Sequence, residues 1–268
     1  MNRTSIVSIV ALLVIAAAFG VWVWYAKPIV KGPAFQHPLA GEMIGEGLYQ
    51  YTEDKPHYHI EVSYPVGTSL KGSADVVARS YMEGELAKAV AAFKQENNLD
   101  NLTAQDIEMQ GLGGDRKYTF TMEFQPYAWE GTISFVYSVY ADTLGAHPNS
   151  FYRTFVFSSD GTPLDLEDLF TPGSNYLTLL SKFAYDGVVA QLAQKTGSEP
   201  TPQMLDEVRI GTAPSPETLQ FYYLNNTDSG GELVLLFPPY QVAAYAAGSF
   251  EVHIALSSLK DILKPGIQ

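Results

Sequence analysis

The sequence predicts an α+β fold: an N-terminal transmembrane helix, then antiparallel sheets, each packed by a helix, in two similar halves. Three observations carry this. An uncharged apolar run of 22 residues stands near the start of the chain. Segments that alternate at period two, rich in Tyr, Phe and Val, recur through the body. Two long stretches with helical apolar spacing divide those strands into sequence-adjacent groups, which favours α+β over a doubly wound sheet.

The apolar run is Ser5–Ala26, "SIVSIVALLVIAAAFGVWVWYA". As a helix it spans roughly 33 Å, enough for a bilayer core. Arg3 precedes it, so residues 1–4 are expected as a cytoplasmic tail, with the body outside the cytoplasmic membrane. Trp22, Trp24 and Tyr25 mark the far interface. A cleaved leader is the alternative, with Ile6–Ile15 as its apolar region and Ala16-Ala17-Ala18 as the cut. Residues 27–45, rich in Pro and Gly, are expected as a juxtamembrane linker.

Residues 46–142 form the first expected α+β subdomain. "HYHIEVSY" (His57–Tyr64) alternates as a strand and ends at Pro65. A helix is expected from Ser73 to about Asn97, with Met82, Leu86, Val90 and Phe93 as its apolar stripe. "KYTFTMEFQ" and "TISFVYSVYA" then read as consecutive antiparallel strands. In the second of these, Thr132, Ser134 and Ser138 oppose the apolar face. Residues 143–268 form the second half. It opens with the strand "FYRTFVFSS", and Asp165 caps the turn "LEDLF". A helix opened by Pro172 and Ser174 runs to Thr196, with Leu177, Leu180, Ala184, Val188 and Leu192 at helical spacing. After the loop "TGSEPTP" come strands at "TLQFYYLNN", "GELVLLFPPY" and "SFEVHIALS", then a terminal turn "SLKDIL".

Composition removes several function classes. There is no cysteine, so disulfides, thiolate metal sites and thiol nucleophiles are excluded. The net charge is −13, which repels nucleic acid; it would attract a basic partner, and the plain alternative is that it serves solubility alone. Gly111–Asp115 ("GLGGD") opens no helix and fails as a phosphate loop. His57 and His59 share a strand face without a third ligand, and His253 is expected to be structural. Glu123, Glu130 and Asp142 have no spacing that demands a glycosidase pair. No catalytic residue, metal or cofactor is expected.

Two longer motifs add a resemblance. "GAHPNSFYRTFVFSSDGTPLDLEDLF" (Gly145–Phe170) and "FPPYQVAAYAAGSFEVHIALSSL" (Phe237–Leu259) resemble the start and end of the RsiV-like domain. That domain occurs in the anti-sigma-V factor RsiV and in the N-terminal part of the peptidoglycan deacetylase PdaC. "HYHIEVSYP" followed by a helix resembles its companion domain, and the likeness spans about Leu48–Leu263. The resemblance implies a signal-anchored, extracytoplasmic binding or sensing domain of a bacterial envelope, with lysozyme or peptidoglycan as its partner. The short expected tail, Met1–Thr4, is too small to clasp a sigma factor. His147, Asn149 and Tyr240 lie inside the motifs and are the binding candidates. The rival readings are an envelope hydrolase using His147 and a purely structural envelope protein. For His147 itself the plain reading is a structured loop, since Gly145, Pro148 and Asn149 around it are turn-forming.

Overall fold

The computed structural model describes Leu39, residues 41–45 and residues 47–267. The expected tail (1–4), membrane segment (5–26) and most of the linker lie outside the described residues. Among the described residues, no helix is long and apolar enough to cross a membrane.

The fold is mixed α+β. A first sheet has six strands in chain order: β1 (Glu42–Gly45), β2 (Leu48–Asp54), β3 (Tyr58–Pro65), β4 (Tyr118–Trp129), β5 (Thr132–Asp142) and β6 (Asn149–Phe157). A second has three: β7 (Tyr222–Thr227), β8 (Gly230–Phe237) and β9 (Phe250–Ala255). The helices are α1 (Ser73–Glu96), α2 (Ala104–Met109), α3 (Tyr176–Thr196) and α4 (Pro202–Gly211).

α1 covers one face of the large sheet. Met82, Leu86, Val90 and Phe93, the expected stripe, are buried against Ile60, Val62, Phe120, Met122 and Tyr137. Phe93 stacks on Phe120 at 4.8 Å. α3 does the same for the small sheet, with Leu180, Ala184, Val188 and Leu192 packed on Leu233, Leu235, Val252 and Ile254. Each helix therefore forms because its apolar stripe finds a sheet to cover.

Four features differ from the sequence reading. First, β3 and β4 pair in parallel, Tyr58 opposite Tyr118. α1 lies between them and returns the chain to the same end of the sheet, as a parallel crossover requires. Second, Glu42–Gly45, expected in the linker, pairs with β2 as the edge strand. The Tyr64 hydroxyl fixes its approach by accepting from the Gly41 N–H and donating to the Leu39 carbonyl, both at 2.9 Å. Third, the halves are unequal. β6, beyond the expected boundary at 142/143, pairs with β5 from Ala141↔Asn149 to Ile133↔Phe157. Fourth, α4 follows directly on the expected loop, started by Thr201, whose hydroxyl accepts the Met204 N–H, with Pro202 in the first turn.

β5 shows how the sheets meet. Its expected polar face is buried at Thr132 and Ser134. β7 lies across it, edge first. The Leu224 N–H donates to the Ser134 hydroxyl at 3.1 Å, and the Tyr222 N–H to the Thr154 hydroxyl at 3.4 Å. The edge donors of β7 are thus satisfied by side chains of the first sheet rather than by another strand. Ser134→Ala leaves one buried N–H unpaired, and the expected loss is about 1–3 kcal/mol in urea unfolding. An unchanged midpoint would show that β7 does not depend on this contact.

Candidate functional site

Two loops meet at one end of the molecule. The first joins β5 to β6. Asp142 accepts the Leu144 N–H at 2.8 Å, and Leu144 takes a positive φ of 61°, so the chain turns sharply and delivers His147 outward. The second joins β8 to β9 and is clamped from below. Gln241 Nε2 donates to the carbonyls of Gly211, at 3.0 Å, and Thr218, at 2.7 Å. Val242 and Ala243 are buried beneath it. Lys195 Nζ donates to the carbonyls of Ala247 and Ser249 at 2.8 and 2.9 Å while lying 3.9 Å over the Phe250 ring.

This scaffold holds Tyr240 in a left-handed backbone, φ 72°, with 59% of the residue exposed. For a residue with a Cβ that conformation costs about 1–2 kcal/mol, offset by the anchored loop around it. His147 Nε2 lies 2.7 Å from the Tyr240 hydroxyl, and Nδ1 lies 2.9 Å from the Pro148 carbonyl. A carbonyl only accepts, so Nδ1 donates to Pro148, and in that tautomer Nε2 accepts from Tyr240. Tyr245 completes the surface. Its ring stacks on His147 at 4.5 Å and lies 5.3 Å from Tyr240, and its hydroxyl donates to Pro148 at 3.5 Å.

Of the three sequence candidates, the fold brings His147 and Tyr240 into contact across 93 positions of sequence. Asn149 is exposed at the start of β6, opposite Ala141, and is not in the cluster. Sequence reading missed Tyr245, although it sits five residues after Tyr240 in the same motif. Among the described residues no carboxylate hydrogen-bonds the His147 ring. The acidic residues weighed as a pair are far apart. Glu123 and Glu130 are separated by seven residues, about 24 Å along an extended chain. Asp142 sits opposite Thr119, four residues from Glu123, and is spent on the Leu144 turn. The other histidines among the described residues serve local structure. His57 Nε2 donates to the Leu99 carbonyl at 2.9 Å, and His59 lies 3.3 Å from Asp54. His253 lies 3.1 Å from Glu232. The cluster can thus present stacked rings, one phenol and one imidazole edge to a partner, on a rigid support.

A search of curated proteins found no match. A crystal structure of a DUF3298 family member from Bacteroides fragilis is similar over 86% of this chain and 96% of its own, at 16% identity and TM-score 0.54. A DUF3298 family protein from Pseudomonas aeruginosa is similar over 82% of this chain and 95% of its own, at 13% identity and TM-score 0.52. Those likenesses concern the fold. Residues 167–257 match the family described as "Protein of unknown function (DUF3298)". That stretch runs from the "LEDLF" turn through β9 and includes Tyr240 and Tyr245, so one wall of the aromatic surface falls within the DUF3298 match.

Proposed function

We propose that this chain is a membrane-anchored, extracytoplasmic binding or sensing domain of the bacterial cell envelope, of the RsiV-like kind rather than an enzyme. Residues 5–26 would hold it in the cytoplasmic membrane with the N-terminus inside. The His147–Tyr240–Tyr245 surface is its recognition site, for a basic protein such as lysozyme or for cell-wall glycan. One observation carries the reading: a large aromatic side chain stands exposed on a strained backbone that buried anchors hold in place. Tyrosines of this sort are typical interface hot spots. The net charge of −13 supports a basic partner.

The test uses the whole chain in detergent micelles, with lysozyme by calorimetry at low salt and with murein by sedimentation. Binding to one of them is expected. Tyr240→Ala should weaken it by about tenfold or more, about 1.4 kcal/mol, without a change in melting temperature. Binding to neither, or Tyr240→Ala binding as the wild type does, would sink the proposal. In spheroplasts, external protease should remove the body, and a protected body would refute the topology.

A further inference from the structure

The C-terminal end of α3, the first turns of α4 and the β8–β9 loop enclose a cavity of about 420 Å³, within the range of small-molecule sites. Its lining shares no residue with the His147–Tyr240–Tyr245 surface. The floor is apolar. Leu192 is buried there, and Met204, an unbranched and adaptable side chain, lies beside it. The loop contributes Ala243, Ala244, Ala246 and Ala247, whose methyl groups leave the space unfilled. This wall is fixed. Ala243 is buried, and Lys195 Nζ holds the Ala247 and Ser249 carbonyls at 2.8 and 2.9 Å.

Three polar side chains reach the lining. Lys195 is committed to those two carbonyls and to the Phe250 ring, 3.9 Å away. The Thr196 hydroxyl donates to the Leu192 carbonyl at 2.9 Å. Glu207 differs. Among the described residues it accepts one hydrogen bond, from Gln203 Nε2 to Oε1 at 3.2 Å. Oε2 therefore keeps its acceptor capacity at the edge of the cavity. The negative end of α3 and the positive end of α4 both border the cavity and offset each other, so the open carboxylate sets the sign.

We propose that this cavity binds a small organic amine, with an apolar body on Leu192, Met204 and the alanines and an ammonium on Glu207. The site goes beyond the recognition surface and does not depend on it. An anion is disfavoured, because Lys195 is already answered and the net charge is −13. An uncharged apolar molecule fits the floor but covers the Glu207 carboxylate without pairing it, which costs affinity.

The probe is phenethylammonium, titrated into the full chain in detergent micelles in an amine-free buffer, with micelles alone as the blank. The uncharged 2-phenylethanol and the anionic 3-phenylpropionate are the comparison ligands. Saturable amine binding is expected, about five- to tenfold tighter than for the alcohol, with the anion weakest. Glu207→Gln should remove that advantage and leave alcohol binding unchanged. Ala246→Leu, at an exposed position, fills the cavity and should abolish binding of both at an unchanged melting temperature. With the methionine methyls labelled, the amine should shift the Met204 signal, identified by its loss in Met204→Leu. That readout needs no lining variant to fold. No amine binding, an amine affinity indifferent to Glu207→Gln, an anion bound as tightly as the amine, or an unmoved Met204 signal each overturns the site.

Discussion

Gly211→Ala should destabilise the protein by about 2–3 kcal/mol and, with it, unsettle the loop that presents Tyr240. Gly211 is the last residue of α4. A Cβ there would lie 2.0 Å from the Gln241 carbonyl oxygen, 2.8 Å from its carbon and 2.8 Å from Val242 Cγ1. The first two are backbone atoms and cannot rotate away. Helix propensity works in the opposite direction, since Ala is favoured over Gly by about 1 kcal/mol in a helix interior. Overlap with backbone wins because moving Gln241 also breaks its paired bonds to the Gly211 and Thr218 carbonyls. Gly84→Ala is the control. It lies inside α1, where an added Cβ meets nothing within 4 Å, so it should be neutral or stabilising by up to about 1 kcal/mol. Urea unfolding of the two variants measures the contrast. A Gly211→Ala midpoint at or above that of the wild type would mean that α4 and the loop yield freely, and that Tyr240 is not rigidly held.

Lys94→Met should cost about 2–3 kcal/mol near neutral pH and flatten the pH dependence of stability. Lys94, near the end of α1, reaches Glu53 on β2 at 3.1 Å and Asp100 at 2.8 Å, and lies 5.5 Å over the Tyr58 ring. Tyr51 also donates to Glu53 at 2.8 Å, and Tyr58 donates to its other oxygen. Lys94 and Glu53 expose only 18% and 22% of their side chains, so removing the cation strands a mostly buried carboxylate. The remaining exposure keeps the cost below that of a fully buried pair. Burial alone would raise the Glu53 pKa, but the bonds from Tyr58, Tyr51 and Lys94 outweigh it and hold the carboxyl below its ordinary range. Burial alone would lower Lys94, but Asp100 and Glu53 outweigh it and raise the ammonium above its usual value. Burial and Glu53 push the Tyr51 and Tyr58 hydroxyls up to about 12. A lowered carboxyl stabilises above its unfolded pKa and loses that contribution as pH falls. Raised Lys and Tyr groups stabilise below their unfolded values and lose that contribution as pH rises. The cluster is therefore fully stabilising between about pH 4.5 and about pH 10. Unfolding at acid, neutral and alkaline pH checks this. Equal losses in Lys94→Met at all three would show that packing, not charge, is what Lys94 supplies.

Local pattern was enough for much of the architecture. α1 and α3 were legible because apolar residues at helical spacing repeat for about three to four turns, and the observed starts lie at Ser73 and Tyr176. β3 to β5 and β9 were legible from alternation, a property of the strand itself, and β8 from a short apolar run beside a turn. β1 was not, because a four-residue edge strand is too short to show a period. The direction of β4 against β3 depends on where α1 returns the chain, and the burial of Ser134 depends on β7 arriving from the second sheet. Both are decided by contacts between distant segments, and no local period records them. The same holds for the site. The sequence alone placed His147 in a turn-rich loop and Tyr240 after two prolines. Only the packing of the β5–β6 loop against the β8–β9 loop sets the imidazole 2.7 Å from the phenol and stacks Tyr245 on it, because that contact follows from how the two sheets meet.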